Sequence, residues 1–285
     1  LIYSGLYNSN SGKNNLNQFI QGEKITKDIN PSYGSIQKIH ARDTDLVTLC
    51  EDKILRILSN KDAVFNADGN PQLTATQNVL GQTVPFSGEY GISKNPESFA
   101  SEAYRAYFTD KVRGTVMRLS KDGLTPISDH GMKDWFRDNL KLNNKLVGSY
   151  DGKKDEYNIS LPTTIEAGVS KTASFREDVR GWVSFKSFIT KNGNSCANEY
   201  YTFKDANLWR HHHDVPGNRN TFYGMHAFTT FNVLLNDGPD SVKSFYTLNY
   251  EGSDSKVTLD VLDDQYHNLA SKAGWYVDSI FTNKE

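Results

Sequence analysis

Apolar and polar residues alternate in three short arms between residues 104 and 128. The arms are Tyr104–Phe108, Thr115–Leu119 and Leu124–Ile127. Asp122-Gly123 stands between the last two, and this dipeptide is typical of a tight β-hairpin because its residues tolerate positive φ. The pattern predicts a three-stranded antiparallel meander. Since so small a sheet is not stable alone, we expect it to belong to a larger β domain.

Related hairpin patterns, each an apolar arm, a charged turn and a second apolar arm, recur without a strict period at residues 45–59, 146–161 and 173–188. Repeated hairpins favour the radial stacking of a β-propeller, although any all-β protein yields similar units. We therefore predict an all-β, β-propeller-like fold of antiparallel meanders with one or two short helices.

One helix is predicted after the meander, with Asp129 as its N-cap. Its apolar stripe, which we expect to face the core rather than a neighbouring subunit, consists of Met132, Trp135, Phe136 and Leu140. A second short helix is predicted over residues 263–272.

The remaining segments divide into loops and further strands. Residues 73–90 and 190–198 are predicted as irregular or loop segments because of their glycine, proline and polar content. Further strands are predicted in a hairpin about Asp205–Asn207, in the pair 227–236 and 242–252, and at residues 275–283.

Two parts of unequal size are predicted from these segments. Residues 1–35, rich in Asn, Ser and Gly, read as an irregular N-terminal segment, and residues 36–285 as the β-propeller-like domain. Because the chain begins with Leu1, we expect a fragment of a much longer polypeptide.

Composition excludes several classes of protein. The net charge of -2 gives no overall electrostatic field that would attract nucleic acid or an anionic membrane. No apolar run approaches the ~20 residues of a membrane span. The two cysteines, Cys50 and Cys196, form no disulfide framework, which favours assembly inside a cell.

A histidine run is the strongest candidate for metal binding. If the run lies on a strand, His211 and His213 share a face and can bind one metal together. A third ligand is needed, and the candidates are Asp214, His226, His40 and His130. The alternative is a set of surface or interface histidines, and we expect no cofactor.

Other polar groups favour structural roles. A calcium loop in residues 66–74 lacks the terminal acidic ligand of an EF-hand. Acidic pairs resembling glycosidase carboxylates fall at predicted turns or a helix start, where acids are common: Glu51-Asp52, Glu177-Asp178 and Asp263-Asp264.

A basic and aromatic group in the meander raises the possibility of single-stranded nucleic acid binding by stacking. Its members are Arg105, Lys111, Arg113, Arg118, Tyr104, Tyr107 and Phe108. Interleaved acids, among them Glu102 and Asp110, favour a solvated or subunit-facing surface instead.

Several long phrases carry a family resemblance: residues 93–128, Gly131–Phe136, Arg180–Phe188, Asn207–His212, Arg219–Gly224 and Val242–Ser253. Together they resemble the muzzle, or nozzle-like, tail structural proteins of crAss-like tailed bacteriophages, over roughly residues 36–282.

The resemblance implies a structural protein of the virion tail, assembled in the host cytoplasm, with no catalytic residues. It implies propeller-like domains and a ring of identical subunits, with sixfold order expected. The ring would control exit of DNA and cargo proteins and would contact other tail proteins and host attachment components. The alternatives are a propeller-type glycan-degrading enzyme, favoured by convergent acids in a central pocket, and a glycan-binding protein, favoured by an exposed aromatic platform.

Overall fold

Antiparallel sheets follow one another along the chain in the computed structural model. It describes residues 1–42, 45–65, 71–166, 170–213, 219–235, 238, 240–244, 246, 279 and 281, with only the backbone for residues 60–65 and 71–78. Two units are distinguished, Leu1–Thr229 and Thr230–Glu285. All the strands and the helix given below lie in the first unit.

The first 35 residues contain little regular structure. β1 (Tyr7–Asn8) and β2 (Lys13–Asn14) form a small antiparallel hairpin. An isolated bridge joins Ile2 to Thr26, and a 3₁₀ turn spans Pro31–Tyr33.

Three four-stranded meanders then follow, and their strands pair in chain order. Sheet 1 contains β3 (Ile36–Ala41), β4 (Asp45–Cys50), β5 (Ile54–Phe65) and β6 (Pro71–Pro85). Sheet 2 contains β7 (Ala100–Ser101), β8 (Ala106–Asp110), β9 (Thr115–Ser120) and β10 (Gly123–Pro126). Sheet 3 contains β11 (Val147–Asp151), β12 (Glu156–Leu161), β13 (Lys171–Arg176) and β14 (Gly181–Lys186).

A three-stranded meander and a second small hairpin complete the described strands. Sheet 4 contains β15 (Asn192–Cys196), β16 (Glu199–Lys204) and β17 (Asn207–Arg210). β18 (Thr221–Phe222) pairs with β19 (Met225–His226). The predicted all-β class and all four hairpins are confirmed, and within the described residues the sheets do not close into a barrel or propeller.

Sheet 2 lies between two apolar cores because successive side chains of its strands point to opposite faces of the sheet. Phe108 and Met117 enter a core shared with Val47 and Leu49 of sheet 1. Tyr107 and Val116, on the opposite face, belong to a second core with residues of sheet 3 that include Tyr157, Ile159 and Phe175. Neither face of sheet 2 is therefore open to solvent along its central strands.

One helix, α1 (Lys133–Leu140), closes the second core from the side. Phe136 and Leu140 are fully buried there, and Met132 and Trp135 pack at its margin, so the predicted apolar stripe is confirmed. The predicted cap is wrong: Met132 occupies the N-cap position without a side-chain hydrogen bond, and Asp129 ends a preceding 3₁₀ turn. The second predicted helix, 263–272, lies outside the described residues.

Two segments predicted as irregular contain strands. Residues 71–85 form the 15-residue edge strand β6, whose prolines stand at its two ends, where a missing N–H is tolerated. Residues 192–196 form β15 despite their polar composition. Small residues are required there because a Cβ on Gly193 would lie 2.8 Å from the Cβ of Ser149.

One predicted strand is absent. Residues 227–235 are described and adopt no strand. The predicted strands at 242–252 and 275–283 lie almost wholly outside the described residues, as does the 66–70 part of the calcium loop. The hairpin about Asp205 is confirmed, with positive φ at Asp205 and Ala206.

Close backbone approach fixes the spacing between successive sheets. β11, the first strand of sheet 3, lies beside β7 of sheet 2 and β15 of sheet 4. A Cβ on Gly148 would stand only 1.9 Å from the carbonyl oxygen of Ser98. Only glycine fits at this contact without moving the backbone of one sheet.

The first prediction concerns this contact. Gly148→Ala should lower the free energy of unfolding by about 3 kcal/mol because the added methyl overlaps the backbone of Ser98. Gly152→Ala is the matched control in the same hairpin, since its Cβ would lie 3.5 Å from that of Ser195, and it should change stability by less than about 1 kcal/mol. Denaturant titrations measure both free energies of unfolding. An equal loss in the two variants would show that overlap with Ser98 is not the cause.

Candidate functional site

The histidine run follows sheet 4 directly, but it does not lie on a strand. β17 ends at Arg210, and His212 has a φ of 57°, so the alternation assumed for His211 and His213 does not hold. His211 is buried, His212 is half-buried and His213 is exposed. The first two side chains enter the junction between sheets 3 and 4.

His212 is joined to an aspartate that lies 61 residues earlier in the chain. Its Nε2 is 2.5 Å from Oδ2 of Asp151, the fully buried last residue of β11. The other carboxylate oxygen accepts hydrogen bonds from the backbone N–H groups of Lys153 and Lys154. Burial acts to raise the pKa of Asp151, but the hydrogen bond and charge of His212 prevail and lower it.

His211 is held in a different environment. Its Nε2 is 2.7 Å from Oγ1 of Thr202, which is 2.8 Å from the hydroxyl of Tyr223. The rings of Phe188 and Tyr200 each lie 4.9 Å from the imidazole. Burial lowers the pKa of His211 to about 4, assisted by the nearby charges of His212 and Lys186 and opposed by that of Asp151. His211 is therefore neutral at neutral pH.

A buried polar layer continues from these histidines across sheet 3. The Oδ1 atom of Asn158 accepts from Oγ of Ser174 at 2.6 Å and from Nζ of Lys186 at 3.1 Å. The hydroxyls of Ser149 and Tyr200 join sheets 3 and 4 at 2.6 Å. Because buried polar groups need partners, the contact of Ser149 with Tyr200 helps to fix the relative position of the two sheets, while the contacts of Asn158 lie within sheet 3.

The structure disperses the proposed metal ligands. His40 packs on Phe99 and His130 on Phe175, in different parts of the chain, and His226 packs on Phe228. Within the part of the chain that is described, no group of three His, Cys, Asp or Glu side chains is placed to hold a metal. Asp214 lies outside the described residues, so a metal on His213 and Asp214 stays a prediction.

Several members of the basic and aromatic group of the meander are engaged in contacts within the protein. Tyr107 and Phe108 are fully buried, and Tyr107 donates to Glu177 at 2.9 Å. Arg118 also contacts Glu177, at 2.7 Å, while Arg113 contacts Asp110 at 2.9 Å. Tyr107 and Phe108 are therefore not available for stacking on bases, whereas Tyr104 is exposed. Single-strand binding, the alternative to a solvated or subunit-facing surface, stays a prediction.

Glu177, one of the predicted acidic pair, connects sheet 2 to the β13–β14 turn of sheet 3. Besides its contacts with Tyr107 and Arg118, it lies 3.9 Å from Arg105. Burial and the charge of Glu177 raise the pKa of Tyr107 well above its usual range. The carboxylate is therefore occupied by structural contacts.

The other acidic pair borders a shallow groove of about 390 Å³. Glu51 accepts hydrogen bonds from Ser35, which lower its pKa, and lies 3.8 Å from Lys94. Asp52 lies 3.6 Å from Arg113. The groove lining also includes Lys111 and Lys141. The third pair, Asp263-Asp264, lies outside the described residues.

Three tryptophans are used in packing. Trp182 lies 4.4 Å from Phe136, centroid to centroid, and its Nε1 donates to the carbonyl of Ile127. Trp135 packs on Phe136, and Trp209 packs on Tyr223. Trp275 is outside the described residues. These three side chains are half-buried and form no flat exposed platform.

Sequence reasoning identified the histidines but missed their partners. Asp151 lies in the charged turn of the hairpin pattern at residues 146–161, and nothing in the sequence marks Thr202 or Tyr223. The available signal is an acidic residue placed at the end of an apolar strand, which is not enough to identify its partner.

Fold and site together define an all-β protein whose buried polar side chains join one sheet to the next. A family model, described as the Crassvirus muzzle protein, matches residues 26–206, well over half of the sequence. The chain belongs to the Crassvirus muzzle protein family and is a structural protein of a bacteriophage virion. The resemblance seen in the sequence is confirmed.

Among curated proteins, none matches the sequence. α1 has eight residues, and no helix in the described residues has the length and hydropathy needed to cross a membrane.

The second prediction concerns acid stability. The pKa of His211 is about 4 in the folded chain, against about 6.5 when unfolded. The unfolded state therefore binds the proton first, and stability should fall as pH drops from about 6.5 towards 4, by roughly 1 to 3 kcal/mol. The free energy of unfolding, measured by urea titration across this range, checks the fall.

Variants identify the responsible group. His211→Phe combined with Thr202→Val removes the titrating ring together with the hydroxyl that it contacts, so the pH dependence should become flatter. His213→Phe changes the exposed neighbour and should leave the slope unchanged. An unchanged slope in the double variant would show that another group is responsible.

Proposed function

We propose that this virion protein assembles into a ring of identical subunits around the tail channel, with six as the expected number. The ring controls exit of DNA and cargo proteins, contacts other tail proteins and supports host attachment. The role is structural and non-enzymatic. Membership of the muzzle protein family supports a place in the virion.

The observation that carries the ring is the presence of two separate exposed apolar segments. The N-terminal segment exposes Leu6, Tyr7, Leu16, Phe19 and Ile20. The second segment, residues 228–235, exposes Phe228, Phe231, Val233, Leu234 and Leu235. Soluble monomers rarely expose such groups together. Two different apolar surfaces are what a head-to-tail contact requires, and such contacts form a ring where the rotation between subunits closes.

The arrangement of the sheets supports a propeller-like domain. The first strand of sheet 3 lies beside the first strands of sheets 2 and 4, as in blades around a central axis. We propose that sheets 1 to 4 are consecutive blades, and that closure involves further protein from the same chain or from neighbouring subunits.

The third prediction concerns native mass. Light scattering and negative-stain microscopy of the full chain should show rings with a uniform number of subunits. Because the proposed contacts are apolar, the rings should persist at high salt, where surface ion pairs are screened. A monodisperse monomer over a wide concentration range would overturn the ring proposal.

A further inference from the structure

The groove beside the β4–β5 turn has rigid walls. It lies where this turn meets the loop that precedes β7, the β8–β9 turn and the residues that follow α1. The backbone N–H of Ser93, in that loop, donates to the carbonyl of Glu51 at 2.9 Å. A Cβ on Gly91 would lie only 1.9 Å from the same carbonyl oxygen, so loop and turn are in direct backbone contact. The groove is therefore a preformed feature of the fold, as ligand sites usually are.

A buried carboxylate ties two of these walls together. Asp110 is fully buried and accepts hydrogen bonds from Oγ of Ser93 and from the backbone N–H of Gly91, both at 3.1 Å. The hydroxyl of Ser93 also accepts from the N–H of Val112, in the β8–β9 turn, at 3.2 Å. Ser93 itself has a φ of 53°, in the left-handed region. Strained backbone held in this way is typical of functional sites.

The charge that is left free in the groove is positive. The two acids of the lining, Glu51 and Asp52, already have cationic partners at 3.8 and 3.6 Å. By contrast, neither Lys111 nor Lys141 forms an ion pair within the part of the chain that the structure describes. Lys94, the partner of Glu51, has a side chain that is 77% exposed. An anionic ligand can therefore contact the lysines without displacing a close ion pair.

One buried acceptor in the lining has no partner. Asn95 is 3% exposed, and its Oδ1 accepts no hydrogen bond from the described residues. A buried polar atom without a partner is costly and uncommon in folded proteins. A donor group of a ligand in the groove would satisfy it. This observation is independent of the lysines and indicates a ligand that carries donors as well as negative charge.

We propose that this groove binds an acidic peptide segment of another tail protein. Carboxylates of the segment form charge-assisted hydrogen bonds with Lys111, Lys141 and Lys94, and a peptide N–H donates to Oδ1 of Asn95. The proposal rests on the proposed contact with other tail proteins and identifies a surface for that contact. It does not depend on ring formation.

The lining favours a peptide over a glycan. None of its nine residues, all of them described, is aromatic, so a sugar ring has no flat aromatic side chain on which to pack. A peptide supplies carboxylates and N–H groups from one chain, which matches the lysines and the unpaired acceptor together. Recognition of acidic motifs by clustered cations is a recurring mode of peptide binding.

The fourth prediction uses the full chain and a fluorescent oligo-glutamate peptide, with oligo-glutamine as the neutral reference. Fluorescence anisotropy should show saturable binding of oligo-glutamate alone, weakening as salt is added. Lys111→Gln combined with Lys141→Gln should reduce the affinity about tenfold because charge-assisted contacts are lost.

The matched control is Lys121→Gln combined with Lys154→Gln, which changes the net charge equally at two exposed lysines in other turns. Its affinity for oligo-glutamate should equal that of the unaltered chain. An equal reduction in the two double variants would show a general attraction of opposite charges and would overturn the groove.

The fifth prediction concerns the unpaired acceptor. Asn95→Leu removes the buried Oδ1 at similar volume, so the free energy of unfolding, measured by urea titration, should not fall. The affinity for oligo-glutamate should nevertheless fall about fivefold because the hydrogen bond to the peptide is lost. A loss of stability with unchanged affinity would assign Asn95 to the fold and overturn its role in peptide binding.

The ring and the groove fail separately. A monomer that binds oligo-glutamate through the two lysines removes the ring alone, and rings without saturable binding of the peptide remove the groove alone. Loss of the rings in the Lys111→Gln and Lys141→Gln double variant would identify a second copy of this chain as the occupant. Binding of an oligogalacturonate in place of the peptide would identify an acidic glycan. Either result would overturn the peptide proposal.

Discussion

A β-sheet with apolar residues on both faces has to be covered on both sides, and the stack depends on this requirement. Tyr107 and Phe108 are neighbours in one strand, yet they are fully buried in different cores. Sheet 2 is therefore stable only between sheets 1 and 3. The contact of Gly148 with the backbone of Ser98 sets how closely two sheets approach. Such a stack has ends, and an end with apolar groups exposed needs a partner.

The successive junctions are built from different chemistry. Apolar side chains join sheets 1, 2 and 3, with Glu177 adding polar contacts between sheets 2 and 3, whereas sheets 3 and 4 are joined mainly by buried hydrogen bonds, among them that of Asp151 with His212. Apolar packing tolerates small shifts, while a buried polar network is satisfied in one arrangement only. The polar junction thus fixes the position of sheet 4. For a virion structural protein, function resides in such surfaces rather than in a pocket.

The candidate site shows the limit of reading residues locally. The histidine run was visible in the sequence, but its interpretation required a strand, and the chain leaves β17 at Arg210. His212 then reaches Asp151, a residue that had the appearance of an ordinary turn aspartate. Adjacent histidines consequently have different roles: His211 is neutral and buried among aromatic rings, and His212 binds a carboxylate. Partners so distant in sequence are brought together only by the stacking of sheets.

The local pattern of apolar and polar residues was sufficient to predict the elements that depend on residues close together in the sequence. Alternation and charged turns determined the all-β class and the four hairpins, and the spacing of Phe136 and Leu140 determined the buried face of α1. The sequence also carried the family resemblance. The tertiary structure decided that β6 and β15 form, although their local composition is typical of loops. Pairing with a neighbouring strand and close packing of the backbone outweigh the intrinsic preferences of their residues. The tertiary structure also decided that residues 227–235, which local composition favours as a strand, adopt none.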